Sequence, residues 1–132
     1  MKYLLDTNIC IYIIKRKPPE VFNRFRSCEV GDIGLSTITV AELTHGTQKS
    51  RQPDKNQAAL DQFLLPLEIV DFDIAAAQAY GSIRAQLEQQ GTPIDPLDFL
   101  IAAQALSLGI SLVTNNEKEF LRVPGLMVEN WV

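Results

Sequence analysis

The stretch Lys2-Tyr3-Leu4-Leu5-Asp6-Thr7-Asn8-Ile9-Cys10-Ile11-Tyr12-Ile13-Ile14-Lys15 sets the pattern for the chain. Residues 2–5 form a short apolar run. From Thr7 onward, Ile9, Cys10, Ile13 and Ile14 recur at helical spacing until Pro18 stops them. A second helical piece follows over residues 19–28, then a strand over 32–35. Ser36 or Thr37 is placed to cap a helix whose inward stripe would include Ile38, Ala41 and Leu43. Further on, the spacing predicts a helix over 57–65, a strand over 67–72 and an alanine-rich helix from the cap Asp73 to about Gln90. A strongly apolar helix over 97–108 comes next, then a strand over 110–113, a short helix over 118–121 and a strand over 126–128. Short apolar strands separated by helices predict βαβ crossovers. The expected fold is α/β, with a mainly parallel five-stranded sheet covered by helices on both faces.

With 132 residues, the expectation is one domain over 1–132. Hydrophobic residues at 46% and charged residues at 21% exclude a disordered chain. No apolar run approaches the roughly 18 residues that a bilayer span requires. Asp6 interrupts any signal-like segment, so a cytoplasmic protein with no membrane association is expected. Cys10 and Cys28 lie in apolar, helix-like surroundings and read as reduced thiols. With His45, the only histidine, they lack the paired spacing of a zinc site. The net charge of −4 divides into +3 over residues 1–55 and −7 over residues 56–132. Lys15, Arg16, Lys17, Arg24, Arg26, Lys49, Arg51 and Lys55 read either as ordinary solvated faces or as a local surface for phosphate or an acidic partner.

Three carboxylates fit poorly with a purely structural reading. Asp6 follows the first strand directly. Glu42 sits mid-helix among apolar residues in Thr39-Val40-Ala41-Glu42-Leu43. Asp98 falls in the first turn of the most hydrophobic helix, where a charge costs several kcal/mol unless paired or coordinated. Asp95, three residues earlier, reads as that helix's N-cap. Asn115 and Asn116 follow the fourth strand, on the same rim of a parallel sheet as Asp6. Acids from three elements without matching lysines stay ionised together only beside a cation. Oxygen-only ligands point to Mg²⁺ or Mn²⁺, a setting suited to phosphodiester hydrolysis. With one histidine in the chain, no serine or cysteine triad is available. His45 itself, three residues after Glu42, reads as exposed.

The chain resembles the PIN-domain nucleases, in particular the VapC toxins of bacterial toxin–antitoxin pairs. The resemblance is carried by Leu4-Leu5-Asp6-Thr7-Asn8, by Ser36-Thr37-Ile38-Thr39-Val40-Ala41-Glu42-Leu43 with Gly46, by Gly91-Thr92-Pro93-Ile94 leading to Asp98, and by Val113-Thr114-Asn115-Asn116 with Glu119-Phe120. It implies a three-layer α/β/α PIN-like domain and a Mg²⁺- or Mn²⁺-dependent endoribonuclease. Asp6, Glu42 and Asp98 fall on the family's acidic positions. At the position of the family's fourth acid this sequence carries Asn116, which brings no charge and favours a single metal. The roles implied are metal binding by Asp6 and Asp98, water activation by Glu42, and positioning of water or phosphate by Asn116 and Thr114. Arg24 and Arg26 stand as candidate contacts to the RNA backbone. A homodimer and a cognate VapB-type antitoxin are also implied. The Asp-Thr-Asn-Ile and Val-Thr-Asn-Asn wording suggests cleavage in the anticodon loop of initiator tRNA.

Other classes read less well. A phosphatase of the haloacid-dehalogenase type wants a second aspartate where Asn8 stands, and a receiver domain wants an acidic pair and a late lysine that are lacking. A PIN nuclease of RNA maturation or DNA processing, and a catalytically inactive PIN-like binding module, remain as alternatives.

Overall fold

In the computed structural model, which describes residues 1–132, five strands form one sheet in the order β3-β2-β1-β4-β5. The strands are β1 (Tyr3–Leu5), β2 (Ile33–Ser36), β3 (Glu68–Val70), β4 (Ser111–Val113) and β5 (Val128–Glu129). All four pairings are parallel, so the sheet is wholly rather than mainly parallel. The helices are α1 (Thr7–Lys15), α2 (Pro19–Ser27), α3 (Thr37–Gln48), α4 (Pro53–Leu64), α5 (Ile74–Gln89), α6 (Pro96–Leu108) and α7 (Glu117–Phe120).

Alternation along the central strands builds two cores. Successive side chains of a strand point to opposite faces. Leu4 and its neighbour Leu112 join α5 and α6 through Leu87, Phe99 and Ile101. Leu5 and its neighbour Val113 face the other way, toward Ile9, Val21, Leu43 and Leu60 of α1 to α4. This gives the three layers α/β/α.

Several boundaries move for physical reasons. Lys17 precedes a proline, which disfavours helical geometry, and α1 ends earlier with Arg16 in the left-handed region at φ 59°. Helix α4 starts a turn earlier than its apolar pattern, because Pro53 suits a first helical position that needs no N–H bond. Strand β3 is an edge strand with a single paired neighbour, so only 68–70 of the expected run enters the ladder. On α3 the buried stripe is Thr39, Leu43 and Thr47, four residues apart, while Ala41 is exposed.

Ser36 caps α3 by accepting the Ile38 N–H at 3.1 Å, and its hydroxyl donates to Gln104 Oε1 at 2.9 Å. Gln104 is a buried amide on the most apolar helix. Its Nε2 donates to the Asp71 carbonyl at 3.2 Å, so one side chain ties α6 to the ends of β2 and β3. No helix is long and apolar enough to cross a membrane.

Candidate active site

From β1 the sheet grows outward through β2 and β3; the chain then returns to the other side of β1 for β4 and β5. The strand order therefore reverses between β1 and β4, and in open parallel sheets the crevice outside the carboxyl ends opens at that point. Leu5 and Val113 are register partners there, so the next residues, Asp6 and Thr114, emerge side by side. The Asp6 N–H donates to the Val113 carbonyl at 3.0 Å.

Asp6 is the N-cap of α1, its Oδ1 accepting the Ile9 N–H at 3.0 Å. Its Oδ2 accepts the hydroxyl of Thr114. Asp6 is only 8% exposed, and burial raises its pKa above the usual carboxylate value despite these two bonds. The charge of Glu42 pushes the same way. Glu42 reaches the crevice from α3, where its Oε1 accepts the Thr7 hydroxyl at 2.9 Å.

On the other side stands Asp98, half-buried in the first turn of α6, which Asp95 caps by accepting the Leu97 N–H at 3.0 Å. Burial and the adjacent charge of Glu119 lift the Asp98 carboxyl to about 7. Asp95 and Asp6 add smaller contributions of the same sign. Asp98 thus lies within electrostatic reach of Asp6 although 92 residues separate them in sequence.

Glu119, on α7, stands in the sequence only as part of the matching stretch Glu119-Phe120, with no role assigned to it. Its Oε1 accepts the Asp95 N–H at 2.7 Å, and its Oε2 accepts the side-chain amide of Asn116. The fourth negative charge therefore stands three residues beyond Asn116. A cap asparagine followed three residues later by a glutamate was the available signal.

Two expected roles change in consequence. Thr114 is fully buried; its hydroxyl donates to Asp6 and accepts the Asn116 N–H at 2.9 Å, so it orients the carboxylate and is not presented to a substrate. Asn116 directs its amide at Glu119, which makes it a holder of the fourth acid.

The two arginines lie apart from this network. Arg24 pairs with Glu129 at 2.8 Å, donates to the Tyr3 hydroxyl at 3.4 Å and sits 5.6 Å from the Trp131 ring centre. Its half-exposed guanidinium links α2 to the β5 tail. Arg26 is exposed with no acidic partner, 5.7 Å from the Phe22 ring centre, and Arg16 approaches the same ring at 4.9 Å. His45 is exposed on α3. Both cysteines are free thiols, Cys10 buried and Cys28 half-buried.

The fold contains two ion pairs, Arg24–Glu129 and Arg84–Glu88, and neither touches the crevice. Asp6 thus lies within electrostatic reach of Glu42, and Asp98 of Glu119 and Asp6, and none of the four acids enters an ion pair. No three of them close around a cation-sized point. Mg²⁺ keeps several of its waters and is commonly held through one or two carboxylates, so an oxygen-only, unneutralised donor set of this kind fits a largely hydrated divalent ion. Beside Glu42, between α1, α3 and α4, lies a cavity of about 340 Å³ walled by Ile11, Ile14, Leu43 and Leu60, with Lys15 at its edge.

The molecule is an α/β protein with an acidic crevice at the switch point of a parallel sheet. The PIN domain family model matches residues 3–126. The tRNA(fMet)-specific endonuclease VapC of Shigella flexneri is 45% identical over 131 residues, covering 99% of this chain and 98% of that protein. Ribonuclease VapC2 of Haemophilus influenzae is 48% identical over 132 residues, covering 100% and 99%. The crystal structure of DNA-bound VapBC from Salmonella typhimurium superposes with a TM-score of 0.94 at 43% identity, covering 100% of this chain and 99% of that one. The chain belongs to the PIN-domain family and, within it, to the VapC proteins.

Proposed function

We propose that this protein is the toxin of a VapBC-type pair, a divalent-metal-dependent endoribonuclease acting in the cytoplasm. The observation that carries the reading is the gathering of Asp6, Glu42, Asp98 and Glu119 at the sheet's switch point with none of them in an ion pair. Asp6 and Asp98 are the residues proposed to hold Mg²⁺ or Mn²⁺, with Glu119 beside Asp98. A divalent ion bound there supplies a water of lowered pKa and charge stabilisation on the phosphoryl oxygens. Glu42, held by the Thr7 hydroxyl beside Asp6, orients or deprotonates the attacking water. Thr114 and Asn116 act one step back, fixing Asp6 and Glu119.

Initiator tRNA, cut in its anticodon loop, is the proposed substrate, supported by the Shigella flexneri relative's specificity. A single-stranded loop suits a recessed site because its bases can splay away from the strand. Arg26 and Arg16, both without acidic partners, are proposed contacts to the RNA backbone. A VapB-type antitoxin and a homodimer complete the assembly; the apolar cavity beside Glu42 gives such an antitoxin a surface from which to cover the site.

The test is cleavage of a total tRNA pool by the purified, antitoxin-free protein with Mg²⁺, with EDTA, and with Asp6→Ala alongside. The expected result is a discrete product that requires both metal and Asp6, with its ends in one anticodon loop. Full activity in folded Asp6→Ala would overturn the site assignment. A folded protein that neither cleaves nor binds Mg²⁺ would turn the reading to an inactive binding module.

A further inference from the structure

The first turn of α6, which carries Asp98, is anchored from outside its own helix. The connection from α5 makes a tight turn at Gly91, φ +71°, with the Thr92 N–H returned to the Leu87 carbonyl at 2.9 Å. Beyond Thr92 the connection contains Pro93 and leads to Pro96, neither of which has an N–H to donate. Two bonds from the α7 segment hold this stretch. Glu119 Oε1 accepts the Asp95 N–H at 2.7 Å, and Arg122 Nη1 donates to the Pro93 carbonyl at 3.0 Å. Arg122 belongs to neither ion pair of the fold. The Arg122 N–H donates to the Glu119 carbonyl at 3.1 Å, so the two anchoring residues share one turn of backbone.

We propose that Arg122 is a positioning residue of the acidic site: together with Glu119 it forms a two-point clasp between the α7 segment and residues 93–95, and this clasp fixes Asp98 beside Glu119. Ile94, buried in the core, pins the middle of this stretch, and with the Asp95–Glu119 bond alone its Pro93 end keeps freedom to swing. The second point, two residues away on a carbonyl, removes that freedom. Arg122 touches no reacting group, and its effect passes through the backbone of residues 93–95 to the start of α6. The proposal rests on the metal-dependent reading above for its functional consequence, while the clasp itself is read from geometry.

The experiment uses the full chain as wild type, Arg122→Ala and Arg122→Lys. Each is titrated with Mn²⁺ alone and followed by calorimetry, melting temperature and amide hydrogen exchange at Asp95. Arg122→Ala is expected to remain folded, to exchange the Asp95 amide faster than wild type and to bind Mn²⁺ about tenfold more weakly, the scale for losing a group that orients metal ligands. Arg122→Lys retains a donor and should recover part of both losses. A plain loop anchor would lower the melting temperature with Mn²⁺ affinity unchanged, and that result overturns the proposal. Should Arg122→Ala fail to fold, Arg122→Lys against wild type carries the same comparison, and equal Mn²⁺ affinities again overturn it. A wild-type protein with no Mn²⁺ affinity would sink the metal-dependent reading instead. The clasp would then stand on accelerated Asp95 exchange in Arg122→Ala, or fall on unchanged exchange.

Discussion

Asp98 is the residue at which the acidic crevice works hardest against the fold. Its carboxyl titrates near 7 in the folded chain and near 3.8 when unperturbed, so between these values the folded form holds a proton that the unfolded form has released. The stability this group contributes is therefore complete below about pH 4 and lost as pH rises through 7. The metal-free protein should melt several degrees lower at pH 8 than at pH 5.5. Asp98→Asn should flatten that slope and raise the pH 8 melting temperature while abolishing cleavage; an unchanged slope in scanning calorimetry would contradict the assignment. Thr114→Val tests the neighbouring contact. It removes the hydroxyl that orients Asp6 and should cost roughly 10- to 100-fold in activity or metal affinity, with the fold retained. At this scale the sequence revealed Asp6, Glu42 and Asp98 through a mismatch between charge and apolar surroundings. Glu119 escaped because it lies on a four-residue helix between exposed Lys118 and buried Phe120, where a glutamate looks ordinary until its partner from 24 residues earlier is known.

At the scale of elements, the caps were the most readable features. Ser36, Asp73 and Asp95 each accept an N–H of the helix that follows, because a short polar side chain after a strand or turn has few better partners, and Asp6 does the same for α1. Apolar pattern was a poorer guide to faces. Thr39 and Thr47 are buried on α3 while Ala41 is exposed, since residues four apart share the face that carries Leu43, whatever their polarity. Gln104 was hidden for the same reason: its amide is fully paired inside an otherwise apolar helix. Gln104→Leu should leave the Asp71 carbonyl unpaired and deprive the Ser36 hydroxyl of its acceptor. The expected loss is about 1–3 kcal/mol of stability, measurable by urea unfolding with the denaturant slope unchanged.

Across the whole molecule, the parallel order of the sheet followed from alternating strands and helices, but the reversal between β1 and β4 did not. Strand order depends on which crossovers pack on which face, and the sequence carries no local signal for that. That reversal is what unites residues 6 and 98 in one crevice. The charge asymmetry of the sequence was also only partly informative. Arg24 lies in the basic half, yet it fastens the tail through Glu129 and Trp131, whereas Arg26 stays unpaired. Arg24→Ala should therefore lower the melting temperature and leave the KM for RNA unchanged. Arg26→Glu should raise KM and reduce the salt dependence of binding, with little change in melting temperature.

On the proposed function, four carboxylates that enter no ion pair make a divalent-cation site. Titration of the metal-free protein with Mn²⁺ at pH 8, followed by electron paramagnetic resonance, tests it most directly, with Asp6→Asn/Asp98→Asn as the comparison. Saturable Mn²⁺ binding in the wild type, lost in the folded double variant, is the predicted result. Equal binding by both proteins, or none by the wild type, would contradict it.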